Sequence, residues 1–541
     1  LKSNSVLWLI RKIDNISSLN SIKCLVYASS IIFFIALILL PPITGILIYA
    51  EQINVVLYEP DLLARANRAI VQSFVTASIV AILDLIAALP LAWLIVRSKT
   101  RIVHFLDALV DIPFLMPTAA LGYSSLLFWD PLISPGFTLV LLLHFAFSYP
   151  VIVRVMVGEL LNYKEVYEVA ARTLGAQPLT AVRTVTLPLL KPGIIASFLL
   201  AFARSLSETG ATVMVAGSWE NGPVFLFNVM DMVNLPDYMK SGILVYVSSI
   251  LIITSTAIFF LITLLAPKFK LPIRRVLPNI EKKLSSTETV RIRNALTLIL
   301  FLLIVIAPSI FTVWPMAYAF LDGTLIEALS GMDPWGSFWR SMLISYAISS
   351  LSTLINIVFG LPAAIIIARH KLGEASSIFR ALVNIPIIVP SIALGVSLRL
   401  FWEKVLLHEF WILLFSHTTI TYTYFVASMA AAIESIPIEI EDVASTLGAK
   451  PFPIFRRITL PLTKYSFFSG AVLVFTRALG ETGAAKAVAK SKEFWTLPVL
   501  LVSWIRDKSR TESQKALGIG LYIISSFMIL LALRFITRRK R

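Results

Sequence analysis

Twelve apolar runs divide the chain. The first six lie near residues 25–50, 69–96, 105–129, 137–158, 192–217 and 242–266. The second six lie near 294–319, 340–369, 378–402, 410–433, 466–489 and 516–537. Each is close to the ~20 residues a helix needs to cross a hydrocarbon layer ~30 Å thick. In lipid the backbone must satisfy its own N–H and C=O groups, so the runs predict helices. A polar, charged stretch over 267–293, broken by Pro272 and Pro278, separates the two series. The pattern predicts an all-α polytopic membrane protein of two six-helix halves, 1–266 and 294–541, joined by a linker.

Composition agrees with this pattern. Of 541 residues, 57% are hydrophobic and 14% charged, against ~25% charged in a typical soluble domain. The net charge of +16 would suit a nucleic-acid binder only if it formed a stripe on a soluble domain. Instead the cations sit in short segments between apolar runs, so no nucleic-acid partner is expected. Arg11 and Lys12, Arg97, Lys99 and Arg101, Lys268 to Arg293, Lys371 and Arg380, and Arg538 to Arg541 all fall on one side of a twelve-span chain. The positive-inside rule makes that side the cytoplasm, with both termini on it, in a multi-pass cell-membrane protein in contact with lipid. The opposite loops carry Glu51, Glu59, Asp61, Asp130, Glu220, Asp231, Asp237, Asp322, Glu327 and Asp333. The stretch 490–515 dissents, with Lys492, Arg506, Lys508 and Arg510 on the outer side. No small-residue cleavage site clearly follows the first run, which predicts an uncleaved first span.

Catalytic chemistry is not indicated. Cys24 is the sole cysteine, and His104, His144, His370, His408 and His417 show no ligand-like spacing, so no metal site or cofactor is expected. No G-x-x-x-x-G-K-[ST] stretch occurs, so any ATP must be hydrolysed by another protein.

The strongest signal is an internal repeat. Residues 168–178 read Glu-Val-Ala-Ala-Arg-Thr-Leu-Gly-Ala-Gln-Pro, and residues 441–451 read Glu-Asp-Val-Ala-Ser-Thr-Leu-Gly-Ala-Lys-Pro, at an offset of 273. The same offset pairs Arg183 with Arg456, Leu187-Pro188 with Leu460-Pro461, Arg204 with Arg477, and Glu208-Thr209-Gly210-Ala211 with Glu481-Thr482-Gly483-Ala484. Two equivalent halves in the same orientation imply a parallel duplication about an axis along the membrane normal. Within each copy the acid near the start suits a short helix. Ala170, Ala171 and Ala444 keep one face small, Gly175 and Gly448 end the helix, and the proline beyond prevents its continuation. A plain polar connector would have little reason to recur in register; a docking element would.

The spacing from Gly175 to Pro188 and from Gly448 to Pro461 resembles the EAA signature of ABC-importer permeases. The resemblance spans both halves and implies the type I ABC importer permease fold. It implies that loops 163–191 and 436–464 couple to two copies of a cytoplasmic ABC ATPase subunit, through Glu168, Ala170, Ala171, Gly175, Leu187 and Pro188 in one half and Glu441, Asp442, Ala444, Gly448, Leu460 and Pro461 in the other. It also implies an extracytoplasmic solute-binding protein and transport by alternating access. One departure stands out. The family acid lies six residues before the glycine, where the second copy has Asp442 but the first has Val169, with Glu168 beside it.

Four charges fall within apolar runs. Arg204 and Glu208, and Arg477 and Glu481, are each four apart, which places each pair on one helical face as a possible ion pair. An unpaired charge at a bilayer centre costs at least ~2.5 kcal/mol, so these groups should face the bundle interior or a water-filled path. Two readings stay open, a translocation pathway and a structural bridge. The surrounding sequences are similar to permeases for molybdate, tungstate and sulfate, whereas the fused layout resembles ferric-iron and thiamine permeases. A small inorganic ion, oxyanion or ferric iron, is the expected cargo, with thiamine or another small organic solute as the alternative. An ion-gradient-driven transporter would also use repeats but would need no cytoplasmic docking loop.

Overall fold

The computed structural model describes residues 14–15, 17–98, 100–265, 268 and 278–537. The predicted cytoplasmic basic positions 11–12, 99, 270, 274–275 and 538–541, and most of the first part of the linker, lie outside the described residues. Every described element is helical. In the first half these are α1 (Asn20–Ile48), α2 (Pro60–Arg97), α3 (Thr118–Trp129), α4 (Phe137–Asn162), α5 (Val166–Thr173), α6 (Lys191–Ser207), α7 (Gly210–Val215), α8 (Gly222–Asp231) and α9 (Asp237–Leu265). In the second they are α10 (Thr287–Leu321), α11 (Trp335–Ala368), α12 (Ser391–Lys404), α13 (Glu409–Glu434), α14 (Ile438–Thr446), α15 (Leu460–Leu479), α16 (Gly483–Val488), α17 (Leu497–Arg506) and α18 (Glu512–Thr537).

Among the described residues, seven helices are long and apolar enough to cross a membrane, or up to ten if each of three bent pairs counts as one span. Twelve unbroken runs were expected, and the difference has local causes. The third run of each half is interrupted just before α3 and α12, where Pro117 and Pro390 stand at the N-cap and cannot donate a backbone bond. The fifth and eleventh runs stop at Ser207 and Leu479. There the carboxylates of Glu208 and Glu481 accept from the amides of Ala211 and Ala484, at 3.2 and 3.1 Å. A side chain that caps a new helix start competes with continuing the old one. Long apolar side chains on the outer faces, such as Leu25, Leu47, Ile86, Ile253 and Leu264, remain exposed, as lipid-facing positions do.

Each half is built on three packed helices: α2, α4 and α6 in one, α11, α13 and α15 in the other. The opening helices cross over. On α1, Phe34, Leu37 and Ile38 are buried among Ala363, Ile367, Tyr422 and Phe425 of the second half. On α10, Phe301, Val305 and Ile306 are buried among Ala88, Leu91, Tyr149 and Ile152 of the first. Ser30 also donates to the Phe359 carbonyl at 2.6 Å. Each half is thus clamped by the first helix of the other, and α9 and α18 lie against α12 and α3.

Candidate translocation site

The two repeat loops fold alike. Helices α5 and α14 end at Gly175 and Gly448, with φ of +94° and +84°, a region that only glycine enters without strain. The amides of Gly175 and Ala176 bond back to the carbonyls of Arg172 and Ala171, and those of Gly448 and Ala449 to Ser445 and Ala444. This double bond pattern is how an α-helix finishes on a left-handed glycine. Leu174 and Leu447, just before the glycines, stand 89% and 83% exposed, which makes each loop tip an apolar knob. Ala170, Asp442, Gly175, Gly448 and Pro461 are exposed, while Ala171, Ala444, Leu187, Pro188 and Leu460 are half-buried.

Glu168 and Glu441 face inward. Arg97, at the end of α2, pairs with Glu168 at 3.0 Å and also with Glu165. Arg369, just after α11, pairs with Glu441 at 2.8 Å, and Thr459 donates to the same carboxylate at 2.9 Å. Glu168 and Glu441, seven residues before the glycines, are thus matched acids that seat each loop on the bundle, while the position six before remains Val169 in one copy and Asp442 in the other. A second tie crosses between halves. Arg183 meets Glu281 at 2.7 Å, and its counterpart Arg456 meets Asp14 at 2.9 Å. Each loop stem is held by the segment that leads into a crossing helix.

The broken fifth and eleventh runs meet on the axis between the halves. A Cβ added at Gly210 would lie 2.5 Å from Thr482 Oγ1, and one at Gly483 would lie 2.7 Å from Thr209 Oγ1. The contacts are reciprocal at the 273-residue offset. So are two more: Thr118 donates to the Gly480 carbonyl at 3.3 Å, and Ser391 donates to the Ser207 carbonyl at 3.5 Å. Gly122 against Ala211 and Gly395 against Ala484 complete the set, each with room only for hydrogen. Four breaks thus interlock where the halves meet, which makes this contact the candidate gate.

A cavity of about 370 Å³ adjoins this gate, lined by Thr118, Arg204, Ser207, Tyr424, Thr476, Arg477 and mostly apolar neighbours. Its α6 and α15 residues all precede the breaks, and the opposite ends of those helices carry the repeat loops, so the cavity lies on the loop side of the breaks. Both arginines line it; neither Glu208 nor Glu481 does. The expected symmetry of ion pairs is not realised. Arg477 pairs with Glu481 at 2.8 Å, but Arg204 makes no such pair with Glu208. Both glutamates lie beyond their helix ends, at Ser207 and Leu479, so helical spacing does not decide the pairing. Arg204 lies instead over the Phe147 ring, 5.4 Å from its centroid.

His144 takes over the missing bridge. Its two ring nitrogens bond Ser205 Oγ on α6 at 2.8 Å and Thr212 Oγ1 on α7 at 2.9 Å, spanning the break. His417 stands at the same place in the second half, but Ala478 and Ala485 replace Ser205 and Thr212, and it bonds its own helix at Leu413. On the far side of the gate, Lys486 reaches Asp231 of the first half at 2.6 Å and lies over the rings of Phe227 and Trp495. Arg506, Lys490 and Arg510 of the dissenting stretch also pair with acids, so most of that loop's charge is neutralised locally. The hydroxyls Thr118 and Ser391 were not anticipated, although their signal was present: each follows a proline at the common offset.

Comparison with known proteins places these features in a family. Residues 84–271 and 360–541 each match the model of the binding-protein-dependent transport system inner membrane component. Both matches begin inside α2 and α11, beyond the crossing helices. The molybdenum transport system permease protein of Mycobacterium tuberculosis is 26% identical over 218 residues, 36% of this chain and 82% of that protein. The sulfate transport system permease protein of Salmonella typhimurium is 32% identical over 205 residues, 35% of this chain and 73% of its own. The molybdate/tungstate permease protein of Pyrococcus furiosus is 28% identical over 193 residues, 36% and 76% of the two chains. Each relative is about half as long as this chain. Two copies of the family domain, built around one gate, make this chain a multi-pass membrane permease belonging to the binding-protein-dependent transport system inner membrane component family.

Proposed function

We propose that this permease imports a tetrahedral oxyanion of the sulfate, molybdate and tungstate class, driven by a separate ATPase that docks on the two repeat loops. The observation that carries the reading is the gate-side cavity, whose charged lining is two arginines and no carboxylate. A cation such as ferric iron would be repelled there, whereas fixed positive charge between apolar walls attracts an anion strongly. The three relatives named above, all permeases for such anions, support the same class.

The route follows from the parts. A binding protein on the side of α8 and α17 delivers the anion when the halves part at the gate. Binding of ATP draws the loops α5 and α14 together, and the crossing helices α1 and α10 keep the two halves joined as they turn against each other. The conformation described, with its gate shut and its cavity facing the loops, is the inward-facing stage that follows release. Both termini lie on the loop side in this reading.

The test is uptake into proteoliposomes holding the permease, its ATPase and its binding protein. Labelled sulfate or molybdate should accumulate only with ATP inside the compartment that the ATPase faces, and neither thiamine nor ferric iron should compete. Uptake driven by an ion gradient without ATP would remove the coupling reading. Uptake of thiamine alone would remove the oxyanion reading.

A further inference from the structure

The two arginines of the cavity occupy equivalent positions but differ in their bonding. Arg477 is tied to Glu481 at 2.8 Å, and Glu481 in turn caps α16 through the Ala484 amide. Arg477, Glu481 and α16 therefore form one braced unit across the break in the eleventh run. In the first half that bracing comes from His144, through Ser205 and Thr212. The pair Ser205 and Thr212 is absent from the second half, where Ala478 and Ala485 stand. Both joints keep the glutamate cap, Glu208 on Ala211 and Glu481 on Ala484, but the first is braced further by His144 and leaves Arg204 out.

Arg204 is left with a cation–π contact to Phe147 and with Nε buried and without a hydrogen-bond partner. Arg477 also has an unbonded Nε, but its charge is already met by Glu481. A guanidinium lacking a carboxylate partner, in a mostly apolar cavity, is a forked donor set suited to an oxyanion. We infer that Arg204 is the residue that contacts the oxyanion in the cavity below the gate, and that Arg477 serves as scaffold. The inference rests on the oxyanion reading and divides roles that the repeat would make equal. Thr476 and Tyr424 line the same cavity and add hydroxyl groups to its wall. A single arginine contact, rather than two, also favours release: a dianion held by two unpaired guanidiniums would leave slowly.

The experiment uses the full permease with its ATPase, nucleotide-free, titrated calorimetrically with tungstate and with sulfate. Arg204→Gln should weaken binding by on the order of tenfold to a hundredfold, the loss of a charged hydrogen-bonding partner. Arg204→Lys, which keeps the charge, should recover part of that loss. Arg477→Gln should weaken binding by clearly less than Arg204→Gln does and lower the melting temperature. Unchanged binding by Arg204→Gln, or an equal loss from Arg477→Gln, overturns the assignment. If Arg204→Gln fails to fold, tungstate located by anomalous scattering in the unsubstituted protein decides: density within hydrogen-bond distance of Arg204 supports it, and density elsewhere overturns it. A permease that imports oxyanion with ATP yet binds no tungstate in this state loses only this site. A permease that imports no oxyanion loses the proposed function as well.

Discussion

At the residue scale the gate depends on glycine facing hydroxyl. Gly210 meets Thr482 and Gly483 meets Thr209 so closely that a methyl group cannot be added without movement. We expect Gly210→Ala and Gly483→Ala to hold the gate ajar, read as an ATP-independent leak of sulfate from loaded proteoliposomes. The double variant Gly210→Ala, Thr482→Gly should reseal it; tight vesicles from both single variants would show that the contact does not close the path. The loop acids make a second case at this scale. Glu441 satisfies Arg369, whose side chain is only 7% exposed. Glu441→Gln should therefore cost about 1–3 kcal/mol, the scale of an unsatisfied buried partner. The loss should appear as a lower melting temperature with the ATPase still copurifying. Loss of copurification at unchanged melting temperature would return Glu441 to the docking surface.

At the element scale, α5 and α14 are rigid knobs on braced stems. Their outer tips are Leu174 and Leu447, and burying a leucine fully is worth roughly 1.5–3 kcal/mol. Leu174→Glu and Leu447→Glu should each weaken ATPase binding tenfold or more while insertion and folding are kept, as measured by pull-down against a stable melting curve. Normal pull-down from the double variant would place the docking face elsewhere. The crossing helices act at the same scale. Because α1 is buried against α11 and α13, and α10 against α2 and α4, packing and not the linker should hold the halves together. A protease site inserted between positions 270 and 277 should, once cut, leave two fragments that copurify in mild detergent; separation would show that the linker is the main tie.

At the scale of the whole molecule, opening outward requires the halves to part on the side of α8 and α17. Lys486 and Asp231 join the halves there at 2.6 Å, with Phe227 and Trp495 around the ammonium. Cation–π contacts contribute up to ~2 kcal/mol when desolvated, so this latch favours the closed outer face. Lys486→Gln should shift the population outward, seen as greater external labelling of a cysteine placed at Thr209 and a raised ATPase rate without binding protein. The exchange Lys486→Asp with Asp231→Lys should restore part of the closed state. Labelling that stays at the unsubstituted level would show that the latch carries no weight in closure.

Much of this was legible in the chain itself. Apolar runs long enough for lipid had to be helices, because hydrocarbon offers the backbone no partner. A repeat at one offset had to build two like halves, and Gly175 and Gly448 marked the ends of the loop helices because no other residue fits their φ. The runs did not reveal their own breaks: a carboxylate that caps a new helix start looks in sequence like any acid within a span. Nor did spacing determine pairing. Arg204 and Arg477 both stand four residues before a glutamate in similar contexts, yet only one pairs, and the hydroxyls that engage His144, on Ser205 and Thr212, are present in one half alone. The direction in which Glu168 and Glu441 face, the crossing of α1 and α10 onto opposite halves, and the meeting of Gly210 with Thr482 are contacts between residues 71 to 391 positions apart. Local periodicity carries helix formation, which is a matter of neighbouring backbone groups; which faces meet depends on how all the helices share one interior, and only the tertiary structure decided that.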